Sequence, residues 1–217
     1  TFLEHLVKAG YSILIGGGTS SGKTTFLNAL SNAIPHEERI ITIEDSAELQ
    51  IQGVENLVRL EAKPANMEGN REITIRDLIR TALRMAPDRI IVGEIRGEEA
   101  VDLLQAWNTG HDGSLGTAHA NSTKDMISRV ETMVLMGMEL PLEAVRRQIA
   151  SGVELLVHLE RARDGKRQVA EIAEILGFAE GEVRMHGLYK REKDQLKKTG
   201  ELAHREKLER CFGENEL

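Results

Sequence analysis

The chain is poor in aromatic residues and in cysteine. Aromatic residues make up 3% of its 217 positions, so the core has to be built from aliphatic side chains and methionine. The single cysteine, Cys211, excludes an internal disulfide framework and a zinc site made of several cysteines. The formal net charge of −7 argues against a broad basic surface, so we expect no direct contact with nucleic acid.

Long apolar runs are missing as well. No run approaches the roughly 20 residues of a membrane-spanning helix, and no signal peptide is recognisable. The chain opens on Thr1, directly in helix-like sequence. We therefore expect a fragment of a longer protein, with a segment missing upstream.

Apolar runs alternate with amphipathic segments up to about residue 152. The runs at 12–18, 39–45 and 89–94 predict buried strands, and the segments between them predict helices. This alternation predicts an α/β core, residues 1–152, with a mostly parallel sheet and helices on both faces.

The pattern changes in residues 153–217. Two apolar segments flank Asp164 and Gly165, which predicts an antiparallel hairpin. A charged tail follows, with a short helix expected near 201–211. We expect the hairpin and tail to form an appendage that packs on the core within a single domain.

The stretch GGGTSSGKTT, residues 16–25, fits two motifs. Residues 17–24 match G-x-x-x-x-G-K-[ST], a loop that binds nucleotide phosphates. Residues 18–22 match G-x-S-x-G, the turn that presents a nucleophilic serine, here Ser20, in hydrolases. The Lys-Thr pair favours the phosphate loop strongly, because a triphosphate needs an ammonium group beside the second glycine and a hydrolase turn does not.

Each part of a phosphate loop has a chemical role. Backbone N–H groups and the helix N-terminus surround the β-phosphate, and Lys23 bridges the β- and γ-phosphates. The Thr24 hydroxyl is a ligand for Mg²⁺, and Thr25 is a contact for the α-phosphate. The predicted nucleotide-binding residues are Gly17, Gly18, Thr19, Ser20, Ser21, Gly22, Lys23, Thr24 and Thr25.

Carboxylates follow two of the predicted strands. Glu44, Asp45 and Glu48 come after the strand at 39–45, where one carboxylate can accept the proton of an attacking water. Glu94 ends the strand at 89–94 and is expected to hold the Mg²⁺ shell. Arg96 is equally consistent with a phosphate contact and with a structural ion pair.

Two further features have open interpretations. His119 ends a strand-like run and can contact the γ-phosphate or the water, although an isolated histidine is more often a packed or surface residue. Arg76, Arg80 and Arg84 share one face of a helix. That face is either solvated or an interface that offers an arginine to a neighbouring subunit.

Four blocks occur together: GGTSSGKTT, TIEDSAEL, APDRIIVGEIRG and TGHDGSLGTAHANS. They resemble the Walker A, Asp box, Walker B and His box of the type II/type IV secretion ATPase superfamily. Within it, the chain most resembles the tight-adherence (Flp) pilus assembly ATPases, the CpaF family. The resemblance extends from about residue 1 to 189.

The resemblance implies a RecA-like domain that hydrolyses Mg-ATP to power pilus assembly or protein secretion. It implies a homo-oligomeric ring, usually a hexamer, at the cytoplasmic face of the bacterial inner membrane, with membrane platform proteins as partners. Glu48 matches the catalytic glutamate, with Glu44 as the alternative, and Glu94 and His119 match the Walker-B and His-box residues. Such proteins carry a domain before this region. A conjugative type IV ATPase and a nucleotide-binding assembly module with little turnover remain alternatives.

Overall fold

The computed structural model describes residues 1–65 and 71–213. Within them the strands are β1 Ile13–Gly17, β2 Arg39–Glu44, β3 Asn56–Glu61, β4 Arg89–Ile95, β5 Leu115–Ala118, β6 Leu155–Arg161, β7 Arg167–Ala179, β8 Glu182–Glu192 and β9 Gln195–Lys198. The helices are α1 Phe2–Lys8, α2 Lys23–Ser31, α3 Ile75–Ala82, α4 Glu99–Trp107, α5 Thr123–Gly137, α6 Leu142–Gly152 and α7 Glu206–Phe212.

All nine strands belong to one sheet, in the order β3-β2-β4-β5-β1-β6-β7-β8-β9. The first six strands in this order are parallel to their neighbours. The carboxyl ends of these six strands therefore lie along the same edge of the sheet, where ligands of open α/β sheets bind. The strands from β6 to β9 pair antiparallel.

Successive residues of the central strands pack into opposite faces of the sheet. Ile13 and Ile15 of β1 belong to one buried cluster, which also includes residues of α1 and α2. Leu14 belongs to a second cluster, with residues of α3, α4, α5 and α6. Because both faces are covered, the central strands are apolar throughout. The predicted α/β fold with helices on both faces is confirmed.

The hairpin predicted around Asp164 and Gly165 is present, as β6 and β7. β6 also pairs in parallel with β1 over five positions, from Ile13 with Leu155 to Gly17 with Leu159. The sheet thus continues beyond the predicted boundary at residue 152, and the hairpin is part of the central sheet rather than an appendage.

The charged tail contains more structure than its sequence pattern predicts. β8 ends at Glu192 and β9 follows after a two-residue turn, in which Lys193 adopts a φ of 54°. β8 and β9 are the last two strands at this end of the sheet, and they bury few side chains. Their sequence therefore lacks a clear apolar alternation. The predicted helix near 201–211 corresponds to α7.

No helix in the described part of the chain has the length and hydropathy to cross a membrane.

Candidate nucleotide site

The loop between β1 and α2 lies at the carboxyl edge of the sheet, and its glycines Gly17 and Gly22 are closely surrounded by other atoms. A side chain at position 17 would come within 2.6 Å of the Leu159 carbonyl oxygen. Gly22 caps the N-terminus of α2 and has a φ of 92°, a left-handed conformation that favours glycine. The loop can therefore turn its backbone N–H groups inward, toward an anion at the helix N-terminus.

Lys23 is buried at the base of this loop. Its ammonium donates to the carbonyl oxygens of Gly17 at 3.0 Å and Gly18 at 3.1 Å, and it lies 3.9 Å from Glu94 Oε1. Burial lowers the pKa of Lys23, partly offset by the charge of Glu94. A phosphate beside this ammonium would compensate for the desolvation of its charge.

Ser20 lies on the exposed rim of the loop, with a φ of 61°. Among the described residues it forms no hydrogen bond to a histidine, which a serine nucleophile requires as its base. The geometry thus favours the phosphate loop over the hydrolase turn.

Glu44 and Glu48 differ in what their carboxylates contact. Glu44 is buried, and its Oε1 accepts the backbone N–H groups of Glu48 at 3.0 Å and Leu49 at 2.9 Å. Glu44 thus fixes the loop that carries Glu48. The Glu48 side chain is exposed to the cavity, so it is the freer of the two carboxylates to accept a proton.

Glu94 connects three of the predicted blocks. Its Oε2 accepts from Arg96 Nε at 2.6 Å, and Arg96 also contacts Asp45 at 2.9 Å. Of its two open interpretations, Arg96 therefore fits the structural ion pair. This pairing raises the pKa of Arg96, mainly through the hydrogen bond to Glu94. His119 Nε2 lies 2.7 Å from Glu94 Oε1.

The Oε1 atom of Glu94 is buried, and within the described part of the chain it accepts no hydrogen bond. A buried carboxylate oxygen without a partner is costly unless a ligand satisfies it. Mg²⁺ commonly takes one or two protein oxygens and keeps water and phosphate as its other ligands. Glu94, together with Thr24 in the first turn of α2, fits such an ion.

The predicted residues surround one cavity of about 590 Å³. It brings together residues of the Walker A loop, the Asp box, the Walker B strand and the His box. Residues from all four blocks line it, namely Thr19, Ser20, Ser21, Gly22, Lys23, Thr24, Thr25, Glu44, Asp45, Ser46, Glu48, Gly93, Glu94, Arg96 and His119. Gly17 and Gly18 lie just behind the lining, where their carbonyls accept from Lys23.

Four lining residues were not singled out from the sequence, namely Ser46, Gly93, Thr117 and Arg167. Thr117 of β5 donates to the Gly93 carbonyl at 2.6 Å and links two strands beneath the cavity. Arg167 begins β7, and its side chain lies against Gly22, 2.9 Å from where a Cβ would stand. No motif could have identified Arg167, because it follows a charged hairpin turn and is far from the other blocks in sequence.

The arginine face of α3 is mostly occupied within the chain. Asp102 of α4 is buried and accepts from Arg76 at 2.6 Å and from Arg80 at 2.8 Å. Arg76 also contacts Glu98 at 2.6 Å. Arg76 and Arg80 thus join α3 to α4. Arg84 is exposed.

The fold and the cavity define a P-loop nucleotide-binding protein of the RecA-like class. The chain belongs to a family described as type II/IV secretion system protein, whose model matches residues 1–205. It is 48% identical over 182 residues to a putative conjugal transfer protein of Mycobacterium tuberculosis, covering 84% of this chain and 51% of that protein. It is 40% identical over 176 residues to the type IV secretion system protein PtlH of Bordetella pertussis, covering 79% and 52%.

Among solved structures, the chain is similar to the VirB11 ATPase of the Brucella suis type IV secretion system. The TM-score is 0.72 and the identity 38%, over 79% of this chain and 50% of that chain. The chain thus spans about half the length of the relatives it matches. The predicted superfamily is confirmed, whereas these relatives belong to type IV secretion and conjugal transfer and do not single out the CpaF branch.

Proposed function

We propose that the chain is the motor domain of a secretion-type ATPase, which hydrolyses Mg-ATP to drive a transport machine in the bacterial inner membrane. The observation that carries this proposal is the convergence of Lys23, Glu48, Glu94 and His119 on one cavity at the carboxyl edge of the sheet. A phosphate loop alone would support binding. The carboxylates and the histidine around it supply what hydrolysis needs.

The residues divide the chemistry among them. Lys23 exchanges its two carbonyl partners for the β- and γ-phosphates, and Glu48 accepts the proton of the attacking water. Arg96 fixes the Glu94 carboxylate by a hydrogen bond and His119 lies beside it; Glu94, together with Thr24, would hold the metal. Mg²⁺, when bound, neutralises charge on the phosphates.

We propose a homo-oligomeric ring, with six subunits as the expected number, at the cytoplasmic face of the inner membrane. Platform proteins of the machine are the expected partners. The names of the relatives support this assignment, since they belong to type IV secretion and conjugal transfer. The ring would let hydrolysis at one site change the contacts of the next subunit.

Replacement of the phosphate-loop lysine tests the proposal. The wild-type protein should release phosphate from ATP in a Mg²⁺-dependent manner, and Lys23→Ala should lower both this rate and the affinity for a slowly hydrolysed ATP analogue by about 100-fold or more. Lys190→Ala, an exposed lysine of β8, is the matched control and should behave like wild type. Equal phosphate release by Lys23→Ala and wild type would refute the assignment.

A nucleotide-binding assembly module with little turnover is the second candidate, since the phosphate loop that lines the cavity by itself supports binding only. Glu48→Gln separates the two functions. A motor should lose hydrolysis by about 100-fold or more and keep its affinity for the analogue, because the exposed carboxylate acts on the water. A binding module should show the same low rate in both proteins.

The machine itself is the finer question. Type IV secretion or conjugal transfer is the assignment that the relatives favour, and tight-adherence pilus assembly is favoured by the resemblance of stretches such as 129–161. Deletion of the gene distinguishes the two machines. A type IV secretion or conjugal transfer role predicts loss of substrate transfer with tight-adherence pili intact, and a tight-adherence role predicts loss of those pili.

A further inference from the structure

Strand β7 contacts two of the loops that line the cavity. Its first residue, Arg167, lies against Gly22 of the phosphate loop. Four residues later, the carboxylate of Glu171 accepts the Thr123 hydroxyl at 2.7 Å. Thr123 begins α5, is 1% exposed, and follows His119 by four residues. A strand from the C-terminal hairpin therefore contacts both the phosphate loop and the His-box turn.

The His-box turn has several internal hydrogen bonds. Arg129 Nε donates to the His119 carbonyl at 3.3 Å, and Asp125 accepts the Asn121 N–H at 2.7 Å. The Ser122 hydroxyl accepts the Asp125 N–H at 3.0 Å. These contacts all join residues 119–129 to one another. They shape the turn, but they do not fix its position relative to the sheet.

The Thr123–Glu171 hydrogen bond joins this turn to the sheet. Glu171 stands in register with His158 of β6, and His158 stands in register with Gly16 of β1. The strand that carries Glu171, β7, is thus two strands away from β1, the strand that leads into the phosphate loop. Because Thr123 is buried and its acceptor is charged, the bond is of the stronger kind.

We propose that Glu171, acting through Thr123, is a positioning residue for His119. Glu171 does not line the cavity. The His119 ring must lie within about 1 Å of its place beside Glu94 to act there, and displacements of that size cost catalysis heavily. Fixing the first residue of α5 to β7 restricts the turn that carries the ring.

The first test measures the position of His119 without requiring hydrolysis. Thr123→Val keeps the side-chain shape and removes the donor. The ring resonance of His119, assigned by its loss in His119→Ala, should shift in Thr123→Val and return to the wild-type position in Thr123→Ser. The matched control is Thr132→Val, an exposed threonine of the same helix whose hydroxyl bonds the Ser128 carbonyl. An unchanged resonance in Thr123→Val would overturn the proposal.

The second test measures turnover and rests on the proposed function. In Thr123→Val, kcat should fall about tenfold while the affinity for a slowly hydrolysed ATP analogue changes less than about twofold. In the His119→Ala background the same substitution should have little further effect, because both act through one ring. Full additivity of the two effects would contradict the positioning role.

Failure of the two ideas is distinguishable. A wild-type protein that releases no phosphate refutes the proposed function, while the resonance comparison still decides the role of Glu171. Glu171→Gln keeps an acceptor oxygen and should resemble wild type in the resonance, whereas Glu171→Ala should resemble Thr123→Val. Denaturant unfolding of Thr123→Val, Thr123→Ser, Glu171→Gln and Glu171→Ala is the stability control. If these four variants unfold at nearly the same denaturant concentration as wild type, a general loss of stability is excluded as the cause.

Discussion

The phosphate loop and the β6–β7 hairpin both contribute to the same cavity, but in different ways. The loop acts through backbone groups and through the Lys23 and Thr24 side chains, all within the consecutive residues 17–25, so one short stretch of sequence contains its whole contribution. The hairpin acts through single side chains, Arg167 at the cavity and Glu171 behind the His-box turn. Nothing in the local sequence of the hairpin indicates either contact.

The difference has a structural cause. A phosphate loop needs glycines at fixed positions, because its own chain must close around an anion. The hairpin residues reach the cavity because β6 pairs with β1 and β7 pairs with β6. A shift of one residue in that register would turn each of the two side chains to the face of the sheet opposite the one it now occupies.

Among variants that compare the two regions, the largest expected effect comes from Gly22→Ala, which alters the point where the loop and the hairpin meet. The left-handed φ of 92° costs an alanine about 1–2 kcal/mol, and the new Cβ would crowd the Arg167 side chain at 2.9 Å. Affinity for an ATP analogue should fall more than about tenfold as the loop rearranges. Ligand titration and urea unfolding measure the two effects.

Gly10→Ala is the matched control for Gly22→Ala. Gly10 has a φ of 85°, a Cβ added there would meet no atom within 4 Å, and the residue lies away from the nucleotide cavity. Gly10→Ala should lower the free energy of unfolding by a comparable amount and leave the affinity for the ATP analogue unchanged. The double variant Gly22→Ala with Arg167→Ala should lose less affinity than the two single losses added together, because the crowding at position 22 requires the Arg167 side chain. Full additivity of the two losses would show that crowding is unimportant.

A smaller effect is expected from Arg167→Ala, which tests the hairpin alone. If the guanidinium contacts phosphate, affinity for the ATP analogue should fall about tenfold, with little change in the free energy of unfolding because the side chain is exposed. Arg161→Ala is the control, since Arg161 pairs with Arg167 in register on β6 and does not line the cavity. Equal affinities for Arg167→Ala and Arg161→Ala would limit the role of the hairpin to the His-box turn.

The smallest effect concerns pH. Burial lowers the pKa of His158, opposed by the charges of Glu160, Glu171 and Asp125. The folded state therefore binds fewer protons than the unfolded state below about pH 6.5, so the free energy of unfolding should decrease as pH falls through that window. His158→Gln should flatten this slope, and His5→Gln, at an exposed histidine, should leave it unchanged. An unchanged slope in His158→Gln would rule out this contribution.

Much of the site could be predicted because its parts end buried parallel strands. Lys23 was identified from the phosphate-loop motif and Glu94 from an apolar run that ends in a carboxylate, whereas His119 gained its predicted role from the family resemblance. The topology brings these strand ends to one edge. The distinction between Glu44 and Glu48 could not be predicted. It depends on which carboxylate accepts the N–H groups of residues 48 and 49, a contact between residues that sequence spacing treats alike.

The sequence by itself determined the α/β class, the phosphate loop and the membership of the secretion ATPase superfamily, because each depends on short contiguous patterns. Tertiary structure decided the rest. It showed that Arg76 and Arg80 are held by Asp102 and that the hairpin belongs to the central sheet. It also brought Arg167 and Glu171 to the two cavity loops. These outcomes depend on strand pairing and helix packing between distant residues, which local composition does not encode.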